Sequence, residues 1–444
     1  MKFIKISILC LASIITHPSL CNDLFDEFDQ EIESFEHPDT DQMIKEYISF
    51  VQDYLTEYDQ WRKSYLNDYD KKQEKIINRW GASTADNQGN VEYSDDLSSR
   101  TLVDYENNEV VVEVLVPIDT STTEANELLA KEVEKNIIKE QQNALSNELP
   151  AKINSEKIVV TPVQFNKKDE EIAKQNIQKQ TTAYKIEADL KSDQLAIKTV
   201  EIPYQIIEEA TVAQQISLEK EQAERIKKVE KQYQVLRQTE PKPQRKILKY
   251  TVQLPTNSLG KRAKKYSPFA EKESKRFDIP VALIMAIMHS ESAFNPKAKS
   301  AVPAYGLMQI VPRTAGHDVN KLVRLIDKPM KPVELYVPEV NVETGSAYLN
   351  ILDQRYLKSI KDPESRLYCT IAAYNTGAGN VAKVFNKKGD GNTRNINRAA
   401  KIINQLSPSE VYQALMERLP YDETKHYLKK VSKRISLYEV KSTT

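Results

Sequence analysis

One carboxylate stands out for the chemistry that it could perform. Glu291 is the only Asp or Glu between Asp278 and Asp318, and it follows an uncharged run from Pro280 to Met288. A carboxyl group at the edge of an apolar environment holds its proton more tightly, because burial disfavours the charged form. Such a group can donate a proton to a leaving oxygen and later accept one. Glu291 is therefore a candidate general acid; a solvated Glu at a helix end is the alternative that the local sequence leaves open.

The residues before Glu291 predict the element that positions it. Asp278 followed by Pro280 is typical of a capped helix start, and the apolar run then predicts a helix over Ile279–Ser292 that is buried on nearly all sides. Glu291 lies at the C-terminal end of this helix. Its orientation therefore depends on how the apolar helix packs.

Two further clusters carry groups suited to binding sugars. Ser300 and Gln309 are neutral hydrogen-bonding residues that match sugar hydroxyls and acetamides, and Gly306 permits a tight turn or a close approach of the backbone to a ligand. Farther along the chain come the blocks Ala372–Val381 and Leu419–Tyr427. The compact motifs of the chain are thus concentrated after residue 255.

These blocks resemble the soluble-lytic-transglycosylase family. The resemblance rests on four motifs in a fixed order: Glu291-Ser-x-Phe-Asn-Pro, Gly306-Leu-Met-Gln, Ala373-Tyr-Asn-x-Gly and Glu423-Thr-x-x-Tyr. The match extends to Thr314–Asp318, Ala347–Ile351, Arg79–Gly81 and the strand Val110–Val116, which are most similar to the membrane-bound lytic transglycosylase C type. The family pattern often has Gly where this chain has Pro303, and this difference leaves the candidate catalytic groups in place.

The resemblance implies an enzyme that cleaves the β-1,4 bond between N-acetylmuramic acid and N-acetylglucosamine in peptidoglycan without water, leaving a 1,6-anhydro end. It implies that Glu291 acts as acid and then as base, assisted by the 2-acetamido group of the substrate. The substrate-binding residues that it implies are Ser300, Gly306, Leu307, Met308, Gln309, Tyr374, Asn375 and Tyr427. Core packing is the alternative role for Tyr374 and Tyr427, and Glu423 and Thr424 are interpreted as bracing the last helix.

Two other functions stay open at this stage. Most glycosidases use two carboxylates, whereas the first two motif blocks offer only Glu291, which favours a substrate-assisted route. A lysozyme-type hydrolase on the same fold is the nearest alternative. The other is a non-catalytic protein that binds peptidoglycan as a scaffold.

The charge distribution suggests the kind of partner. Residues 251–444 carry 31 Lys and Arg against 18 Asp and Glu, whereas residues 1–250 carry 32 against 46. A basic C-terminal half suits glycan strands whose peptide stems bear carboxylates. We find no base-reading motif, so nucleic acid is not an expected partner.

The chain is predicted to be multidomain. After a segment 1–21, we predict an α+β N-terminal accessory domain over 22–255 and an all-α, lysozyme-like catalytic domain over 256–444. The accessory domain is predicted to hold a charged, partly helical insertion over 123–240 that extends into solvent.

Predicted strands are Glu109–Val116, Lys157–Val163, Ala196–Ile202 and Ile247–Leu254, and residues 81–99 are predicted as a loop. Apolar and aromatic residues from Met43 to Tyr69 follow a helical period and predict one amphipathic helix, whose stripe is either a packing face or a sugar-stacking platform.

The N-terminus predicts export. Lys2 and Lys5 precede a short apolar run, typical of a secretory signal, so a periplasmic location is expected. Cys21 is a candidate for lipid anchoring to the outer membrane, although Pro18 and Leu20 fit a lipobox poorly. Cys369 is predicted to be a small buried hydrophobic residue. The histidines show no ligand spacing, so we expect neither metal nor cofactor.

Overall fold

A computed structural model describes residues 40–82, 90–144, 154–198, 204–386 and 393–439. The predicted signal segment and Cys21 lie outside these residues. The chain divides into two compact units, Met1–Asp59 and Gln60–Thr444. The contacts reported below all lie within the second unit.

Helices make up most of the described structure. None of the described helices combines the length and apolar character that crossing a bilayer requires. In chain order the helices are α1 (Thr40–Trp80), α2 (Thr122–Ala144), α3 (Lys167–Lys198), α4 (Tyr204–Thr239), α5 (Ser258–Phe277), α6 (Val281–Ser292), α7 (Ala315–Leu322), α8 (Pro332–Leu335), α9 (Pro338–Ile351), α10 (Pro363–Thr376), α11 (Ala378–Phe385), α12 (Ile396–Ile403), α13 (Pro408–Arg418) and α14 (Asp422–Ile435).

One antiparallel sheet lies before the C-terminal helices. Its strands are β1 (Asn90–Tyr93), β2 (Ser99–Asp104), β3 (Glu109–Pro117), β4 (Val159–Pro162) and β5 (Arg245–Gln253), in the spatial order β1-β2-β3-β5-β4. In the central pair Val112 lies opposite Tyr250 and Val114 opposite Leu248. These four side chains are buried with Leu129 of α2, so the alternating residues of β3 and β5 form the apolar face of the sheet.

Three of the four predicted strands are confirmed, namely those at 109, 157 and 247. The strand predicted over Ala196–Ile202 is wrong where the structure describes it, because Ala196 to Lys198 belong to α3. The loop predicted over 81–99 instead contains β1 and the first residue of β2. The sequence does not indicate β2 as a half-buried strand because its buried residues include Arg100, whose charge is neutralised by the buried Glu113 on β3.

The charged insertion does not extend into solvent as predicted. Helices α3 and α4 pack against each other, and α3 also packs on α10 and α11. Tyr184 and Leu195 of α3 are almost completely buried, and so is Asp189. The prediction of an exposed charged excursion is therefore wrong for α3, whose charged residues on this face are buried and paired.

The charged pairs of α3 centre on one arginine. Arg394 contacts Asp189 and donates to Asp193 Oδ1 at 2.9 Å and to Glu208 Oε2 at 2.9 Å. Asp193 also accepts a hydrogen bond from the Gly379 N–H at 2.8 Å. Because a Cβ atom on Gly379 would lie 2.1 Å from Asp193 Oδ1, the small residue makes room for the carboxylate.

The C-terminal helices enclose the largest apolar cluster of the described residues. Helix α6 is at its centre, with Leu283 to Met288 each at most 3% exposed. The prediction that Asp278 caps α6 is wrong, because Asp278 is the left-handed C-cap of α5. Pro280 takes the N-cap position of α6, without a side-chain hydrogen bond. In residues 256–444 the described β-structure is limited to isolated bridges around Tyr305. Cys369 is buried and unpaired, as predicted.

The aromatic stripe of α1 is a packing face over the part from Trp61 onward. Trp80 is 2% exposed and donates its ring N–H to the Leu97 carbonyl at 3.0 Å. The Arg313 guanidinium lies 4.8 Å from the centre of the Trp61 ring, and the Lys299 ammonium 5.6 Å from that of Tyr65. These cation–π contacts join α1 to the C-terminal part of the chain.

Candidate active site

Glu291 occupies the last turn of the buried helix α6. The side chains before it on α6 fill the core, whereas Glu291 itself is half-buried and lines a cavity. The helix ends immediately afterwards, because Ala293 and Phe294 both take left-handed backbone conformations, with φ of 47° and 64°. Each costs free energy for a residue other than glycine, so the turn must be held by its surroundings.

The surroundings of Glu291 favour its protonated form. Burial raises the pKa of this carboxyl to about 8, which is the largest effect. The Tyr427 hydroxyl acts in the opposite direction, the Glu423 carboxylate raises the pKa further, and the Lys430 ammonium lowers it. At neutral pH Glu291 therefore carries a proton that it can donate.

Two tyrosines lie beside this carboxyl. Tyr374 is 8% exposed, and its hydroxyl donates to the Met308 carbonyl at 2.9 Å. The Tyr427 hydroxyl is buried near Glu291 and has no partner at ordinary hydrogen-bond geometry among the described residues, yet it is close enough to stabilise the carboxylate. Burial raises the pKa of both phenols well above the usual value, so both stay neutral.

Ser300 and Gln309 lie in the loop that forms another side of the cavity. The Ser300 hydroxyl donates to the Val302 carbonyl and accepts from the Ala304 N–H at 3.0 Å. The Gln309 amide donates to the carbonyls of Ala298 and Gly306, at 3.2 and 3.0 Å. Both residues line the cavity, and both also fix the loop that presents them.

Gly306, Leu307 and Met308 do not line the cavity. Gly306 has a φ of 76°, and a Cβ atom there would lie 2.3 Å from the Leu335 carbonyl oxygen. The side chains of Leu307 and Met308 are fully buried in the core. Asn341 fixes this segment by accepting from the Met308 N–H at 2.8 Å. The structure thus shows a scaffolding role for the three residues, and direct substrate contact stays a prediction.

Asn375 joins the third and fourth of the four motifs. Its side-chain oxygen accepts from the Thr424 hydroxyl at 2.7 Å, which ties the end of α10 to the start of α14. Thr424 is completely buried, in agreement with its predicted bracing role. Six of the predicted site residues therefore meet around one cavity: Glu291, Ser300, Gln309, Tyr374, Asn375 and Tyr427.

The cavity has a volume of about 780 Å³ and a second wall that the sequence motifs did not indicate. That wall is α3, which contributes Lys179, Gln180 and Glu187, while α14 contributes Glu423 and Lys430. Burial raises the pKa of Glu423 and Lys179 lowers it. Glu423 belongs to one of the four motifs, so its position at the cavity could have been expected from the sequence. No local signal in α3 indicates that this helix lines the cavity.

The expectation that Glu291 is the lone carboxylate does not hold for the cavity as a whole. Glu187, Asp422 and Glu423 also line it. These groups come from α3 and α14, outside the first two motif blocks. Among the described residues, no group of three or more His, Cys, Asp or Glu side chains is arranged to hold a metal ion.

The C-terminal part of the chain is similar to known proteins. Residues 268–397 match the Transglycosylase SLT domain family. Over 186 residues the chain is 45% identical to Membrane-bound lytic murein transglycosylase C of Pectobacterium atrosepticum, and equally to that of Serratia proteamaculans, covering 42% of this chain and 50% of each relative. The chain thus spans about half the length of these curated relatives. The resemblance predicted from the four motifs is confirmed.

Two solved structures are similar to part of this chain. The 70 kDa soluble lytic transglycosylase of Escherichia coli is 30% identical, with a TM-score of 0.29, covering 39% of this chain and 24% of that one. The lytic transglycosylase Slt of Pseudomonas aeruginosa, solved as an inactive mutant, is 27% identical, with a TM-score of 0.29, covering 38% and 23%.

Proposed function

We propose that this chain, whose residues 268–397 carry a transglycosylase SLT domain, is a peptidoglycan lytic transglycosylase. It would cleave the β-1,4 bond between N-acetylmuramic acid and N-acetylglucosamine and leave a 1,6-anhydro end. The observation that carries the proposal is Glu291, whose carboxyl pKa burial raises to about 8, at the edge of a cavity of about 780 Å³. The four motif blocks and the names of the relatives support it.

The first step of the proposed mechanism is proton donation. Glu291 gives its proton to the glycosidic oxygen as the bond from that oxygen to C1 of the muramoyl unit breaks. The carbonyl oxygen of the 2-acetamido group of the same sugar attacks C1 and forms a cyclic oxazolinium. Tyr427 and Lys430 then stabilise the resulting Glu291 carboxylate, because both lower its pKa.

The second step returns the proton. The Glu291 carboxylate takes the proton of the C6 hydroxyl, the C6 oxygen attacks C1, and the acetamido oxygen leaves. No water is consumed, and Glu291 is protonated again. The C6 hydroxyl belongs to the same sugar as C1, so its attack is intramolecular and can outcompete water.

The product decides between this proposal and hydrolysis. The extra carboxylates of the cavity mean that a count of acids cannot separate the two. Purified sacculi should be digested with the protein and the muropeptides analysed by mass spectrometry. We expect ends lighter than the hydrolysed product by one water; reducing ends alone would establish a lysozyme-type hydrolase, and binding without release would establish a scaffold.

We expect activity to fall as pH rises through about 8. This limb reports loss of the Glu291 proton, whose pKa burial raises to about 8. The Glu423 carboxylate contributes to that raised pKa, so Glu423→Gln removes a like charge and should shift the limb to lower pH. The measurement is the pH–rate profile on a soluble glycan oligomer, with Asp422→Gln, at the more exposed neighbouring carboxylate, as the control. An unchanged limb in Glu423→Gln would contradict this assignment.

The proposed location is the bacterial envelope. Peptidoglycan lies there, and the relatives are named membrane-bound. Export through residues 1–21, and association with the outer membrane through a lipid on Cys21, stay predictions. Labelling with radioactive palmitate, with Cys21→Ser as the control, tests the second of them.

A further inference from the structure

The turn that follows Glu291 is held by the sheet, not only by neighbouring helices. Arg262, at 2% exposure, donates to the Ala293 carbonyl at 3.2 Å and to the Tyr105 carbonyl at 2.8 Å. Its guanidinium also lies 4.6 Å from the centre of the Tyr105 ring. Tyr105 belongs to the tight turn between β2 and β3. One buried arginine thus ties that turn to the left-handed Ala293.

A second arginine makes a parallel connection to the end of α6. Arg434 of α14 donates to the His289 carbonyl at 2.9 Å and is paired with Glu106, the residue after Tyr105. Cations at the carbonyl end of a helix are favourable, because they complement its exposed carbonyls and its dipole. Glu106 fixes the guanidinium in place by accepting its other N–H group.

Two further side chains close to Glu291 also make contacts at the end of α6. His289 lies two residues before Glu291, and its Nδ1 is 2.8 Å from the Tyr438 hydroxyl. Burial and the nearby cations lower the pKa of His289 to about 4, so the ring is neutral. Lys430, which faces Glu291, donates to the Ser290 carbonyl at 3.4 Å. The carbonyls on either side of Glu291 are therefore held by side chains.

We propose that Glu106, on the β2–β3 turn, is a positioning residue for Glu291, and that it acts through Arg434 on the end of α6. This inference rests on the proposed function and assigns a role to the sheet, because the sheet would hold the strained turn that orients the acid. Neither Glu106 nor Arg434 lines the cavity. Their loss should therefore reduce turnover without weakening substrate binding.

The test compares two glutamates of the same sheet. Glu106→Ala breaks the link to Arg434, whereas Glu113→Ala breaks the buried pair with Arg100, away from α6. In the full-length chain we expect Glu106→Ala to lower kcat on a soluble glycan oligomer by roughly 10- to 100-fold, since small displacements of a catalytic group have effects of that size. KM should stay unchanged, and Glu113→Ala should leave kcat near the wild-type value.

A second readout does not depend on activity. Hydrogen exchange of the Ala293 and Phe294 amides should become faster in Glu106→Ala and stay unchanged in Glu113→Ala, because only the first loosens the turn. Glu106→Gln, which can still accept from Arg434 but carries no charge, should restore part of both losses. If Glu106→Ala does not fold, Glu106→Gln and Arg434→Lys are compared with Glu113→Gln in the same way.

The outcomes separate this inference from the proposed function. Unchanged kcat and unchanged exchange in Glu106→Ala would overturn the inference, as would equal effects in Glu113→Ala. If wild-type protein forms no anhydro ends, the proposed function fails, and the exchange rates still decide whether Glu106 holds the turn.

Discussion

Glu291→Gln is expected to abolish glycan cleavage while leaving the binding of sacculi intact. Gln matches the size of Glu and can still hydrogen-bond, but it neither donates the proton that the leaving oxygen needs nor accepts the one from the C6 hydroxyl. Because a single group performs both transfers in the proposed mechanism, we expect a loss of about 10³-fold or more in kcat. Release of soluble muropeptides from sacculi measures the loss, and cosedimentation measures binding.

The control for this substitution is Glu364→Gln, at an exposed position on α10. It removes a carboxylate without touching the cavity and should keep full activity. Substantial lysis by Glu291→Gln would contradict the assignment of the acid, whereas loss of both binding and lysis would indicate a disturbed fold.

The stability of Glu291→Gln also has a predicted pH dependence. The pKa of Glu291 is about 8 in the folded protein, against an ordinary value of 4.5. Between these values the folded state holds a proton that the unfolded state has lost, so this group reduces stability as pH rises from 4.5 to 8. The Gln variant lacks this contribution. Denaturant unfolding of both proteins across this range should show a shallower decline for the variant.

Arg394→Gln is expected to lower the free energy of unfolding more than any other substitution proposed here. The side chains of Arg394, Asp189 and Asp193 are 1%, 2% and 8% exposed. Removal of the guanidinium leaves two carboxylates buried without their cation, and breaking a buried pair in this way costs about 3–5 kcal/mol. Burial already raises the pKa of Asp193 to about 6 with Arg394 present, which shows how unfavourable the site is for an unpaired charge.

Denaturant unfolding measures this loss, with Lys401→Gln on α12, the helix that follows Arg394, as the control. Lys401 is exposed, so its removal should change stability little. Arg394 pairs with Asp189 and Asp193 of α3, and Asp193 also accepts from the Gly379 N–H of α11. We therefore also expect the wall of the cavity to loosen and glycan binding to weaken. A midpoint for Arg394→Gln equal to that of Lys401→Gln would contradict the structural role assigned to the cluster.

Much of the site could be predicted because its chemistry is encoded locally. Glu291 is separated from other acids by an apolar helix, and Ser300 and Gln309 follow within a single loop. The strands β3 and β5 were predictable because Val112, Val114, Leu248 and Tyr250 alternate in the pattern of a half-buried sheet. In each case the signal lies within one continuous stretch of sequence.

The rest of the site depends on contacts between distant residues. Helix α3 looks solvated in sequence because Asp189 and Asp193 interrupt any apolar stripe, and charged residues are usually exposed. Their burial becomes favourable only when Arg394 neutralises them, and no local pattern shows that pairing. The same holds for β2, where Arg100 is buried only because Glu113 lies opposite.

The Arg394 cluster also has a consequence for how the protein folds. Arg394 and Asp189 are 205 residues apart in sequence, so bringing them together closes a very long stretch of chain. Contacts of this kind are slow to form and are expected late, after the local helices and the β2–β3 hairpin. Interactions absent from the folding transition state slow unfolding rather than speed folding. We therefore expect the cluster to slow unfolding, and the cavity wall formed by α3 to be complete only in molecules that have finished folding.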